Sequence, residues 1–114
     1  MKVFIIDDSS YVRTQINGFL RELGFSDIVG FPNYLKFEEE AEKQNPDLIF
    51  INIDPEIPQS FEALDRIKSK YFSKIVILYH IGQNIEHIIE GKYKGIKILS
   101  KPISKRSLSL IASI

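Results

Sequence analysis

Short, unbroken apolar runs alternate with segments of helical periodicity along the whole of this 114-residue chain. Such runs predict strands buried on both faces of a sheet, because a strand with one wet face would alternate apolar and polar residues. The five predicted strands are Val3–Ile6, Asp27–Phe31, Leu48–Ile53, Lys74–Tyr79 and Ile96–Leu99. Since strand and helix follow each other five times, we expect one doubly wound α/β domain over residues 1–114, with a parallel sheet and helices on both faces.

The segments between the strands carry apolar residues at helical spacing. The five predicted helices cover about 10–23, 34–43, 61–71, 84–90 and the stretch from Ser104 onward. A serine can cap the first of them, and Gly24 follows its end. The last helix has apolar residues around it, and we expect it to be a face for a homodimer or another protein partner. These residues are Leu108, Leu110, Ile111 and Ile114.

Composition excludes several classes of function. Lys and Arg number 15, Asp and Glu also number 15, and the formal net charge at pH 7 is +0. Nothing therefore favours nucleic acid or a membrane as the main partner. The absence of cysteine excludes disulfides and thiolate-bound metals. No apolar run approaches the roughly 18 residues that span a bilayer, and the apolar start is too short for a signal peptide. We expect a cytoplasmic protein.

Polar side chains gather at the predicted carboxyl ends of the strands, which is the edge where open parallel sheets bind ligands. These side chains are Asp7 and Asp8 after the first strand, Asn52 and Asp54 at the third, Tyr79 and His80 at the fourth, and Lys101 after the fifth. Two adjacent carboxylates repel each other unless a cation lies near them. Acids, an amide, a hydroxyl and a lysine at one edge predict a functional site there. We expect exposed or loop positions for the two histidines, His80 and His87, rather than a metal site.

Four motifs in order resemble receiver domains of two-component response regulators, the chemotaxis type of flavodoxin-like fold. The motifs are Ile5-Ile6-Asp7-Asp8-Ser9, Pro46-Asp47-Leu48-Ile49-Phe50-Ile51, Phe61-Glu62-Ala63-Leu64 and Lys101-Pro102. The resemblance covers nearly the whole chain. It implies a five-stranded sheet of order 2-1-3-4-5 and a cis bond before Pro102. Because family members usually carry a longer last helix, it also implies that this helix is truncated here.

The resemblance also implies a set of roles at the strand ends. Asp7 and Asp8 would bind magnesium, which prefers oxygen ligands and neutralises phosphate charge. Lys101 would contact the phosphate. The acceptor aspartate of the family falls on Asn52, with no gap in the match. The two positions that relay the signal, a hydroxyl after the fourth strand and an aromatic on the fifth, fall on Tyr79 and Ile98.

Three of these positions depart from the family pattern. Asn52 has no carboxylate nucleophile and cannot form an acyl phosphate. Tyr79 is too bulky for the small inward shift of a serine or threonine, and Ile98 is not aromatic. We therefore expect a receiver-like module that is not an enzyme, is independent of phosphorylation and acts through a protein partner. That partner would be a histidine kinase, an output domain or a downstream target.

Several alternatives stay open on the sequence alone. Asp54 would be a displaced acceptor if the third strand were two residues longer. Magnesium would be bound by Asp7 and Asp8 with Asn52, or else Lys101 would lie between the two carboxylates and close the pocket without a metal. A nucleotide or flavin is disfavoured, because the first loop is acidic and has no glycine-rich phosphate cradle.

Overall fold

The computed structural model describes residues 1–41, 43–85 and 90–112. Its strands are β1 (Lys2–Ile6), β2 (Asp27–Phe31), β3 (Leu48–Asn52), β4 (Lys74–His80) and β5 (Lys97–Lys101). The helices within these residues are α1 (Ser10–Glu22), α2 (Tyr34–Ala41), α3 (Pro58–Lys70) and α4 (Lys105–Ala112). Most of the helix predicted at 84–90, with His87, lies outside the described residues, as does Ile114. In the described part, no helix has the length and apolar character to cross a membrane.

All five strands are parallel and lie in the order β2-β1-β3-β4-β5, which confirms the predicted fold. The register aligns the carboxyl ends of the strands: Ile6 pairs with Ile51, and Asn52 pairs with Leu78. At the far side of the sheet, His80 pairs with Lys101. The sheet therefore brings the residues that follow β1 to the same edge as the ends of β3 and β5.

The two faces of the sheet carry separate apolar cores, because successive side chains on a strand point to opposite faces. One core packs against α2 and α3 and includes Phe4, Ile49 and Ile77. The other packs against α1 and α4 and includes Ile5 and Phe50. The central strands are thus buried on both sides, as their unbroken apolar runs predict.

Some predicted boundaries differ from the observed ones for identifiable reasons. Helix α3 begins at Pro58, earlier than the apolar spacing predicts, because proline at the first helical position loses no hydrogen bond. Strand β5 continues through Lys101 instead of ending at Leu99, because its pairing with β4 continues to His80. The Lys101–Pro102 peptide bond is cis. The lysine of the Lys-Pro pair thus belongs to the sheet itself.

Helix α4 does not present all its apolar residues to solvent. Leu108 is fully buried in the core shared with α1, and Ile111 is half-buried against the same core. Leu110 is 66% exposed. The predicted docking face is therefore wrong for Leu108, since that side chain belongs to the core of the domain.

Candidate functional site

Asp7 is fixed by its main chain and one of its carboxylate oxygens. Its backbone N–H donates to Phe31 O at 3.1 Å, which continues the pairing of β1 with β2. Its Oδ1 accepts the Ser9 N–H at 2.9 Å, while Ser9 Oγ caps α1 by accepting the N–H of Val12. Asp7 is only 1% exposed. The strand-to-helix turn thus points one buried carboxylate into the sheet edge.

Arg13 holds the same turn from the first turn of α1. Its Nη1 donates to the backbone oxygen of Asp7 at 2.6 Å. The side chain crosses β2 at Gly30, where an added Cβ would lie 3.1 Å from Arg13 Cδ. Glycine at this position therefore leaves room for the arginine that holds the Asp7 carbonyl.

Lys101 reaches across the strand ends and joins two of the predicted site residues. Its Nζ lies 2.7 Å from Asp7 Oδ2 and donates to Asn52 Oδ1 at 2.8 Å. Lys101 is 6% exposed, so the ammonium and the Asp7 carboxylate form a buried ion pair. Such a pair loses much solvation on burial, and its charges compensate each other only while both partners remain.

The Lys101 ammonium compensates the charge of the Asp7 oxygen that faces it. Asp7 Oδ2 is buried, and the ammonium lies 2.7 Å away. Within the described residues, no other hydrogen-bond donor is paired with this oxygen. An unpaired buried carboxylate oxygen would be costly in free energy.

Asp8 takes no part in this ion pair. Its side chain is exposed, and no ion pair between Asp8 and Lys101 is present among the residues that the structure describes. The expectation that Lys101 lies between the two carboxylates is therefore wrong: the ammonium lies between Asp7 and Asn52. Beside it, a cavity of about 260 Å³ is lined by Asp7, Asp8 and Asn52 together with apolar residues such as Ile57.

Asp54 lies in the loop between β3 and α3. Its Oδ1 accepts the backbone N–H of Glu56 at 3.0 Å and the side-chain amide of Gln83 at 3.1 Å. Gln83 Oε1 in turn accepts the backbone N–H of His80 at 3.1 Å. The carboxylate is thus tied to the loop after β4. Within the described residues, no hydrogen bond or ion pair joins it to Lys101.

Tyr79 and Ile98 lie on the neighbouring strands β4 and β5. Tyr79 pairs with Ser100 and Ile98 pairs with Ile77, and both side chains are half-buried against the core beneath α2 and α3. His80, the last residue of β4, is exposed as expected. The sheet register thus places Tyr79 one residue before the pair formed by His80 and Lys101.

Asp7, Asp8 and Asn52 offer the oxygen atoms that magnesium prefers. However, Asp7 Oδ2 and Asn52 Oδ1 both contact the Lys101 ammonium already. In the described part of the chain, no three acidic or histidine side chains converge as metal ligands. The donor atoms are of the right kind, but their arrangement fits an ammonium group rather than a magnesium ion.

Two residues that stabilise the site were not identified from the sequence. Arg13 holds the Asp7 carbonyl, and Gln83 holds the Asp54 carboxylate. The only signal for Arg13 was Gly30, since a glycine inside a strand often marks the close approach of another group. Gln83 lies in a loop, where periodicity predicts no contacts.

Comparison with known proteins gives a consistent result. The family model of the response regulator receiver domain matches residues 3–113. The chemotaxis protein CheY of Listeria monocytogenes is 26% identical over 98 residues, which make up 85% of this chain and 82% of that protein. Among solved structures, CheY4 of Vibrio cholerae has a TM-score of 0.78 and 25% identity, covering 98% of this chain and 95% of that one.

A more distant structure supports the fold alone. The receiver domain of NtrX from Brucella abortus is 21% identical, with a TM-score of 0.79 over 98% of this chain and 95% of that chain. Receiver domains are signalling modules of two-component systems, and they interact with protein partners such as kinases and output domains. The matched family model and the sheet order agree, and this chain belongs to the response regulator receiver domain family.

Proposed function

We propose that this chain is a receiver module that signals through protein contacts without being phosphorylated. The observation that carries the proposal is the Asn52 side chain, which lies at the carboxyl end of β3 and accepts a hydrogen bond from Lys101 at 2.8 Å. A side-chain amide has no carboxylate nucleophile to attack a phosphodonor. Asn52 therefore cannot carry a phosphoryl group as an acyl phosphate.

The charges of the pocket support the same proposal. Asp7 and Lys101 balance each other inside the domain, and Asn52 adds no charge. In this arrangement the charge of the Lys101 ammonium is compensated without a phosphoryl group or a metal ion. The two relay positions are occupied by Tyr79 and Ile98, which pack against the core. The small hydroxyl residue and the aromatic residue of the family's switch are therefore missing from these positions. The module would thus present one surface to its partner at all times.

The alternative is a phosphorylatable regulator that uses Asp54. Its carboxylate is half-buried at the same strand end, and Oδ1 accepts the two hydrogen bonds that described residues donate to it. Oδ2 would then be the attacking atom, with magnesium neutralising the charge of the phosphodonor. Against this alternative, Asp54 forms hydrogen bonds with Glu56 and Gln83, and within the described residues it forms none with Lys101.

Intact mass spectrometry after incubation with acetyl phosphate and magnesium tests these two functions. The wild type is compared with Asn52→Asp and Asp54→Asn. We expect no added phosphoryl mass on the wild type or on Asp54→Asn, and a gain on Asn52→Asp, because that change supplies the missing nucleophile beside Lys101. A phosphoryl group on the wild type that disappears in Asp54→Asn would replace the proposal with the alternative.

A homodimer through α4 is a further part of the proposed protein contacts. Leu110 is the exposed apolar residue of this helix, while Leu108 is buried. The mass of the wild type in solution, measured by light scattering, is compared with that of Leu110→Lys. A dimer that dissociates in Leu110→Lys would support this contact, whereas a monomer in both would remove it from the proposal.

A further inference from the structure

A groove at the amino-terminal edge of the sheet, opposite the candidate site, combines lysines with apolar side chains. Its volume is about 470 Å³. The cationic residues of the lining are Lys68, Lys74, Lys94 and Lys97, and the apolar residues include Tyr71, Phe72, Ile75, Ile96 and Ile111. Within the described residues, the lining contains no Asp or Glu. Charges of one sign in a concave site focus their field and attract the opposite charge.

Two of these lysines have no carboxylate partner among the described residues. In the described part of the chain, no ion pair involves the side chain of Lys94 or Lys97. Other lysines differ: Lys36, Lys92 and Lys105 each lie beside a carboxylate on the surface. The charges of Lys94 and Lys97 are therefore available to an anionic partner.

Phe72 projects fully into solvent at the rim of the groove. Its neighbours are held by hydrogen bonds, so the backbone that carries the ring is anchored on both sides. The Tyr71 hydroxyl donates to Ala41 O at 3.4 Å, Ser73 Oγ donates to Pro46 O, and the N–H of Lys74 donates to the carbonyl oxygen of Asp47, the residue before β3, at 3.0 Å. A preorganised aromatic side chain loses little conformational freedom when it is buried by a partner.

A second groove, of about 540 Å³, lies on the other side of Phe72 and shares Tyr71 and Ile111 with the first. Asp47 is the one carboxylate among its described lining residues. Asp47 Oδ2 already accepts the backbone N–H of Lys2 at 2.7 Å. The exposed phenylalanine therefore lines both grooves and lies beside the one that contains Lys94 and Lys97.

We propose that these two grooves, with Phe72 between them, bind an acidic segment of a partner protein that carries apolar side chains. The carboxylates would pair with Lys94 and Lys97, and the apolar side chains would pack against Phe72 and Ile111. Nucleic acid is disfavoured, because the described lining of the grooves contains no arginine and the chain has a formal net charge of +0. A bilayer surface is disfavoured, because it presents no side chain that would fill a concave groove.

This proposal rests on the proposed function, which it deepens by naming a surface for the protein partner. The two remain separable by experiment. The grooves lie at the opposite edge of the sheet from Asn52, and a binding assay on them involves no phosphoryl chemistry. A negative phosphorylation result therefore does not bear on the grooves, and a negative binding result does not bear on Asn52.

The test uses a fluorescein-labelled synthetic peptide in which Glu and Asp alternate with Leu and Phe. Fluorescence anisotropy measures its binding to the wild type, to Phe72→Ser and to the double variant Lys94→Glu/Lys97→Glu. The matched controls are Tyr11→Ser, which removes another exposed ring, and Lys36→Glu/Lys105→Glu, which makes the same change in net charge outside the grooves. Circular dichroism establishes that each variant is folded.

We expect each groove variant to raise the Kd by about tenfold or more, because it removes a central aromatic contact or reverses the attracting charge. The two controls should stay within about twofold of the wild type. Equal weakening by the controls, or no binding of the peptide by the wild type, would overturn the proposal. So would tighter binding of a DNA oligonucleotide or of anionic vesicles than of the peptide, or self-association that Phe72→Ser abolishes.

Discussion

Lys101 and Asp7 form a buried ion pair that spans from β5, at the edge of the sheet, to the turn after β1, with a separation of 2.7 Å. The side chains are 6% and 0% exposed. Lys105 and Glu22 are also 2.7 Å apart, but their side chains are 53% and 57% exposed. The two ion pairs therefore have the same separation, although one lies in the interior of the domain and the other is exposed to solvent. Burial, rather than distance, decides how much each pair matters to stability.

Replacing Lys101 by methionine should destabilise the domain by about 3–5 kcal/mol, because Asp7 would remain as an uncompensated buried charge. The matched change Lys105→Met should cost at most about 1 kcal/mol, because Glu22 is already solvated. Urea unfolding followed by circular dichroism gives both free energies. Similar costs for the two variants would mean that the Asp7 carboxylate gains water when the lysine is removed.

Magnesium should bind weakly to the wild type and more tightly to Asn52→Asp. In the wild type, Asp7 and Asn52 already contact Lys101, and the amide has no negative charge to attract the ion. A ligand that binds only the folded state raises the Tm according to its concentration relative to Kd. We expect about 10 mM magnesium to leave the wild-type Tm unchanged and to raise that of Asn52→Asp by several degrees. A comparable rise in the wild type that Asp8→Asn abolishes would show that the wild-type oxygens do bind the metal.

The fold was predictable because both strand and helix leave periodic patterns in the sequence. The same patterns predicted that Asp7, Asn52 and Lys101 would share an edge, since the ends of parallel strands meet there. They could not predict which of two adjacent carboxylates points inward. That choice depends on the tertiary contacts of Asp7 with Phe31 and Arg13, which leave no periodic signal.

The contacts between loops were beyond sequence reasoning for the same reason. Gln83 joins the loop after β4 to Asp54 through a single side-chain amide. Nothing in the spacing of these two residues, which lie 29 positions apart, predicts that they meet. In α4, the predicted docking face grouped Leu108 with Leu110, although Leu108 is buried in the core shared with α1 and Leu110 is 66% exposed.

That difference within α4 gives a test of the core. Leu108→Ala should destabilise the domain by about 2–5 kcal/mol, because it removes buried methyl groups and leaves a cavity. Leu110→Ala removes the same atoms from a side chain that is 66% exposed, so its cost should be within about 0.5 kcal/mol. Denaturant midpoints of the two variants measure the difference. A large cost for Leu110→Ala would reveal that this side chain is covered in solution, as a dimer through α4 requires.

Asp65 should make the stability of the domain depend on pH in the acid range. The hydrogen bond from Lys92, at 2.8 Å, lowers the pKa of Asp65 below its ordinary value of 3.8, and the hydrogen bond from the Tyr93 hydroxyl acts in the same direction. A carboxyl group with a lowered folded pKa adds stability above its unfolded pKa and loses it as the pH falls through the folded value. Between about pH 5 and pH 2, the wild type should therefore lose more stability than Asp65→Asn. Urea unfolding at several pH values measures this loss, with Glu62→Gln on the same helix as the control. Parallel pH profiles for the wild type and Asp65→Asn would show that these hydrogen bonds between α3 and the segment before β5 do not persist in solution.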